Sequence, residues 1–135
     1  MKAKFPDLKI LPQVFEKYSD IQAVYLFGSV ASEQIHAESD IDLAIAPRDK
    51  TLRSQKLDIL ADLTKNGFNS IDLVFLDTPD ILVRFEAVRQ NQLIYCRPNF
   101  DPHSFYSLTL RQYFDFLPYL KVQRQAHKQR IFQHG

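Results

Sequence analysis

The stretch Asp40-Ile41-Asp42-Leu43-Ala44-Ile45-Ala46 constrains this chain more than any other. Its strict period of two is that of a strand. Asp40 and Asp42 fall on one face, and Ile41, Leu43 and Ile45 fall on the other and pack. Such a strand needs neighbours, and the sequence supplies them. Residues 21–27 (IQAVYLF) are an apolar, β-prone run, residues 70–76 (SIDLVFL) predict a third strand, and 92–96 (QLIYC) predict a short fourth. Helical patterns separate them. Residues 6–18 carry Leu8, Leu11, Val14 and Phe15 on one stripe, with Pro12 resetting the start. Residues 51–65 carry Leu52, Ile59, Leu60 and Leu63, with Gly67 as stop. A short turn and helix is expected near 29–35. Thr78-Pro79-Asp80 predicts another helix, Thr78 as N-cap, running to about Asn91. Asp101-Pro102 opens a C-terminal helix, kinked or broken at Pro118 and reaching about residue 132. The alternation predicts an α+β fold, a small two-layer α/β sandwich, with a body over residues 1–100 and a helical tail over 101–135.

A chain of 135 residues can bury a core large enough to fold without staples. The lone Cys96 excludes a disulfide framework and a multi-cysteine zinc site. Seventeen basic against sixteen acidic residues argue against a strongly basic nucleic-acid binder, and direct nucleic-acid binding is not expected. The balance hides an asymmetry. Residues 97–135 hold six basic and two acidic residues, net +4, whereas residues 1–96 hold eleven basic and fourteen acidic, net −3. No apolar run nears the roughly 18 residues that span a membrane. The opening MKAKFPDLKILPQ lacks a signal-peptide core, so the cytoplasm is the expected compartment.

The chemistry gathers around Gly28-Ser29 and the two aspartates downstream. Glycine lets a backbone approach a ligand closely, serine offers a hydroxyl, and a helix N-terminus offers free N–H groups and a positive dipole end. Together these suit a phosphate. Asp40 and Asp42 repel each other on a shared face, a pairing stable mainly with a cation between them. Asp72 points away from Ile71, Leu73 and Phe75. If its strand neighbours 40–46, three carboxylates meet beside a phosphate loop, as a Mg²⁺–nucleotide site requires. The bland alternative is a solvated strand edge beside an ordinary turn.

The stretch LFGSVASEQIHAESDIDLAI, with the later IDLVFLD, resembles the signature of the nucleotidyltransferase superfamily related to DNA polymerase β. Its shortness resembles the minimal nucleotidyltransferases that partner HEPN-domain proteins in toxin–antitoxin pairs. The resemblance covers about residues 20–95. It implies a mixed sheet, Gly28 and Ser29 on the triphosphate, and Asp40, Asp42 and Asp72 as catalytic carboxylates holding Mg²⁺, two ions being expected. It implies transfer of AMP from ATP, in the antitoxin branch onto a tyrosine of a HEPN RNase toxin. Asp72 is then the expected general base, nearest the acceptor. Many relatives continue the Gly-Ser with a small residue and then Arg-Gly. Here Ser32 and Glu33 stand instead, and an acidic Glu33 disfavours phosphate unless it points away. This keeps a degenerate antitoxin that acts by binding alone in view. A nucleotidyltransferase for a small molecule such as an aminoglycoside is the other alternative, though little chain is left for a substrate domain. A homo-oligomer is compatible with either.

Other residues read more plainly. Arg48, Lys50, Arg53 and Lys56 suit a solvated face, with phosphate contact as the alternative. Asp77 suits the helix-start turn, His36 a solvent loop, and Cys96 the apolar core. Arg97 and His103 form an Arg-x₅-His, but Pro98 and Pro102 exclude the helix that a HEPN RNase motif needs. In the tail, Phe105, Tyr106, Tyr113, Phe114, Phe116 and Tyr119 precede Lys121, Arg124, His127, Lys128 and Arg130. Part of this aromatic stripe must pack on the body, and the rest suits protein docking.

Overall fold

The computed structural model describes residues 8–28 and 40–134. Four strands, β1 (Ile21–Phe27), β2 (Ile41–Pro47), β3 (Ile71–Phe75) and β4 (Gln92–Cys96), form one sheet in the order β3-β2-β1-β4. β1 runs antiparallel to β2 and β4, and β2 runs parallel to β3, so the sheet is mixed. Among the described residues four α-helices flank it: α1 (Leu11–Glu16), α2 (Lys56–Lys65), α3 (Ile81–Val88) and α4 (Pro102–His134). Turns of 3-10 helix, Leu8–Ile10 and Lys50–Gln55, lead into α1 and α2.

Alternation along β1 and β2 sends side chains into two cores. Val24, Leu26, Ile41, Leu43 and Ile45 join Leu11, Val14 and Phe15 of α1, and Ile59 and Leu63 of α2. On the opposite face Ala23, Tyr25, Ala44 and Ala46 meet Ala87 and Val88 of α3, with Phe105 and Tyr106 of α4 packed against them. Alanines on the strands let these helices sit close. The α+β class and the flanking helices agree with the sequence reading. The layers differ from the expected two, because helices cover both faces and make the sheet the middle layer.

Local differences have local causes. Asp80, not Thr78, caps α3, its carboxylate accepting from the N–H groups of Leu82 (3.0 Å) and Val83 (3.5 Å), while Thr78 accepts from the Asp80 N–H. α3 stops at Val88, and Asn91 takes φ 53° in the turn into β4, a left-handed conformation that asparagine tolerates. α4 continues through Pro118 to His134. Phe114, whose carbonyl loses its donor to the proline, is exposed, so water can satisfy it. Cys96 is exposed rather than in the core, because it ends a strand on the sheet's edge. Its thiol lies 3.3 Å from the Arg97 carbonyl, and partial desolvation pushes its pKa up.

Arg97 fastens the end of β4 to the turn between α1 and β1. Its Nε donates to the Ile21 carbonyl at 2.7 Å, and its Nη2 donates to the carbonyls of Tyr18 (3.0 Å) and Glu16 (3.2 Å). The Tyr18 hydroxyl in turn donates to Asp62 on α2. A charged donor serving backbone acceptors contributes about 1.5–3 kcal/mol per bond, less where water reaches it. Arg97→Ala is therefore expected to lower stability by about 2–4 kcal/mol in urea unfolding, and Arg97→Lys, lacking the planar fork, to recover less than half of that. An unchanged midpoint in Arg97→Ala would remove this role.

Candidate active site

The register of the sheet assembles the site. In β2–β3 pairing Asp42 stands opposite Asp72, and in β1–β2 pairing Phe27 stands opposite Asp42. All three lie on the α3/α4 face, at the end of the sheet where β1 finishes and β2 and β3 begin. Ala87 and Val88, at the C-terminal end of α3, share a core with Ala23, Tyr25, Ala44 and Ala46, and Phe27 packs against it. Asp72 is exposed and Asp42 is half-buried. Asp40, exposed, precedes β2 on the same side.

Burial first, then the neighbouring charges of Asp72 and Asp40 and a hydrogen bond with Asp72, raise the Asp42 pKa above the ordinary carboxylate value. Gly28 follows β1 directly. It has φ 76°, and a Cβ on it would lie 2.0 Å from the Asp42 Oδ2. Two independent constraints therefore require glycine here: a backbone conformation L side chains rarely adopt, and a carboxylate pressed against the Cα. Ser29, the rest of the phosphate loop with Ser32 and Glu33, the short helix near 29–35 and His36 lie outside the described residues.

This donor set fits Mg²⁺. It consists of hard carboxylate oxygens on adjacent strands, and a cation between them would remove the repulsion that raises Asp42. Among the described residues no three of His, Cys, Asp and Glu gather into a metal cluster by themselves. An ion shared between carboxylates and substrate phosphates needs no such closed cage.

The basic residues after β2 lie elsewhere. Arg48 follows the far end of β2, six residues from Asp42 and so about 20 Å along the strand. Arg53 is held at that end by Asp77, Nη2 to Oδ1 at 2.6 Å, with its guanidinium 5.7 Å from the Phe75 ring centre. The sequence held no local sign of this pair, because Arg53 and Asp77 lie 24 residues apart. Phe27 stands opposite Asp42, a placement that its apolar strand pattern alone does not signal.

The polymerase beta nucleotidyltransferase family model matches residues 9–100, which span β1, Gly28 and all three aspartates. The chain belongs to this family. It is 25% identical over 118 residues to the protein adenylyltransferase MntA of Shewanella oneidensis, covering 87% of this chain and 81% of that protein. Its fold resembles that of a toxin–antitoxin crystal structure with AMP-PNP, with a TM-score of 0.73, 22% identity, and 93% of this chain and 98% of that one covered. It also resembles a chain in the complex of a tri-AMPylated Shewanella oneidensis HEPN toxin with MNT antitoxin, with a TM-score of 0.66, 21% identity, and 93% and 95% covered. Among the described residues no helix is long and apolar enough to cross a membrane.

Two outcomes follow for this site. Gly28→Ala is expected to destabilise the protein and displace the Asp42 carboxylate. In an Asp42→Ala background its penalty should shrink to the backbone strain alone, about 1 kcal/mol. Equal penalties in both backgrounds, read by thermal unfolding, would disprove the steric coupling. The second outcome concerns pH. Because the folded pKa of Asp42 lies above its unfolded value, the folded protein holds this proton more tightly. That stability is fully present below the unfolded pKa and is lost as pH rises through the folded pKa. Asp42→Asn should therefore raise the neutral-pH Tm of the metal-free protein and flatten its fall across the carboxylate range. A lower Tm at every pH would contradict this.

Proposed function

We propose that this chain is a Mg²⁺-dependent adenylyltransferase that moves AMP from ATP onto a tyrosine hydroxyl of a cognate HEPN-domain toxin, and so acts as its antitoxin in the cytoplasm. The observation that carries the reading is the opposition of Asp42 and Asp72 across β2–β3 beside a glycine moulded around Asp42. Membership of the nucleotidyltransferase family supports transfer of a nucleotidyl group. The adenylyltransferase name of the Shewanella relative and the toxin complexes among the structural neighbours support the acceptor.

In this reading Asp40, Asp42 and Asp72 hold Mg²⁺, and Gly28 and Ser29 receive the triphosphate. The bound ions supply positive charge that offsets the triphosphate and the departing pyrophosphate. The acceptor oxygen forms a bond to the α-phosphorus, and the bond from that phosphorus to the bridging oxygen breaks. Asp72, exposed at the edge strand, accepts the phenolic proton. A tyrosine with pKa near 10 needs such a base at neutral pH. The remaining barrier falls through positioning and charge stabilisation.

The test is incubation with labelled ATP, Mg²⁺ and a candidate HEPN-domain partner protein. Label on that protein is expected, with Asp40→Asn/Asp42→Asn removing it and Asp72→Asn lowering kcat about 10²- to 10⁴-fold. Tight binding without label would overturn the enzymatic reading. It would favour inhibition by binding alone, the reading that Ser32-Glu33 in place of Arg-Gly supports.

A further inference from the structure

A cavity of about 220 Å³ lies toward the end of the sheet opposite the aspartates. Gln22 and Asp77 give it polar groups, and Ala46, Leu76, Phe100 and Phe105 give it apolar walls. Register fixes its place. Gln22 stands at the start of β1, and Ala46, paired with Ala23, stands near the end of β2. Ala46 is four residues beyond Asp42, about 13 Å along the strand, so the cavity is separate from the aspartates. Its volume falls below the range of about 300–1,000 Å³ usual for small-molecule sites. It has room for a single ring rather than for a nucleotide.

The walls suit an aromatic ring. Phe100 and Phe105 form a corner, their ring centres 5.6 Å apart and tilted by 49°. Such a corner offers both a face and an edge to a third ring. Phe105 also packs on Tyr25, 6.3 Å between ring centres. Tyr25 is fully buried, yet its hydroxyl has no hydrogen-bond partner. Buried tyrosine hydroxyls usually find one. This hydroxyl points toward the cavity's end of the sheet. Burial first, and then the Cys96 thiol, push its pKa up to about 12, and Cys96 pairs with Ala23, opposite the Ala46 wall. The same thiol lies 3.7 Å from the carbonyl of Phe100, another wall. A buried donor without an acceptor therefore stands behind an aromatic corner. The Asp77 carboxylate, fixed by Arg53, sets the charge that a ligand meets, and it disfavours an anion.

We infer that this cavity is a second ligand site, taking a small uncharged aromatic molecule whose ring lies on Phe100 and Phe105 and whose oxygen accepts from the Tyr25 hydroxyl. Phe105 touches both Tyr25 and the cavity, so its ring turns aside to admit that oxygen. The bound molecule ties the first turn of α4 to the start of β1 and the end of β2. The site stands independently of the nucleotidyl-transfer reading, because it shares no residue with the aspartates.

The experiment titrates the full chain, without nucleotide or Mg²⁺, with two probes, phenol and toluene, and follows backbone amide shifts by NMR. Phenol is expected to bind with a dissociation constant on the order of 1 mM, as a ligand of so few atoms should, and to move the amides of Gln22, Leu76, Asp77 and Phe100. Tyr25→Phe keeps the ring and removes only the hydroxyl. It is expected to weaken phenol about 2- to 10-fold, to leave toluene unchanged, and to raise the Tm of the unliganded protein. Gln22→Trp, at a half-buried position on the cavity, should block both probes while the fold persists. No saturable phenol binding up to about 10 mM overturns the site. Shifts confined to the region of Asp40, Asp42 and Asp72 overturn it as well. Equal affinities for phenol in Tyr25→Phe and the unaltered chain, or a lowered Tm in that variant, overturn the role of the hydroxyl and with it the ligand class. Because neither ATP nor a partner enters the measurement, failure of the transfer reading would leave this result unaltered.

Discussion

The parallel pairing of β2 with β3 is the interaction on which the site depends. It sets Leu43 beside Leu73 and Ile45 beside Phe75 on the buried face, and by the same register sets Asp42 beside Asp72 on the open one. A slip by one residue would turn the apolar set outward and drive the aspartates into the first core. Burying each of these four side chains contributes about 1.5–3 kcal/mol. Two carboxylates near 4 Å in a partly solvated place repel by about 1–4 kcal/mol. The core therefore wins by a margin, and it holds in place a pair of charges that would separate if free.

Much of this was legible in the sequence, for a physical reason. Period-two alternation states which residues share a face, so DIDLAIA and SIDLVFL announced both the strands and the side on which Asp42 and Asp72 fall. What the pattern could not give was adjacency. That β3 lies next to β2, rather than β1 next to β3, is decided by packing distributed over the whole chain. The same holds for Arg53 with Asp77 and for Arg97 with the carbonyls of Glu16, Tyr18 and Ile21, partners separated by 24 to 81 residues. Cys96 departs from the expected core position because an apolar strand looks the same whether it lies inside a sheet or along its edge. Thr78 yields the cap to Asp80 because Thr-Pro-Asp offers two capping side chains two residues apart, and only backbone geometry chooses between them.

The two faces of the sheet divide the work by side-chain size. The α1/α2 face is filled with Leu, Ile and Phe and fixes register. The α3/α4 face is thin, with alanines at 23, 44 and 46 meeting Ala87 and Val88 of α3. The basic residues that follow β2 lie away from the aspartates. Arg48 lies at the far end, and Arg53 is already bound to Asp77 there. In the proposed reading a polyphosphate approaching Asp40, Asp42 and Asp72 meets like charge, in a body whose first 96 residues carry net −3, and divalent charge arriving with the substrate would offset it. The raised pKa of Asp42 expresses burial together with this same crowding of carboxylates in protons: the side chain holds its proton more tightly than a free carboxylate does.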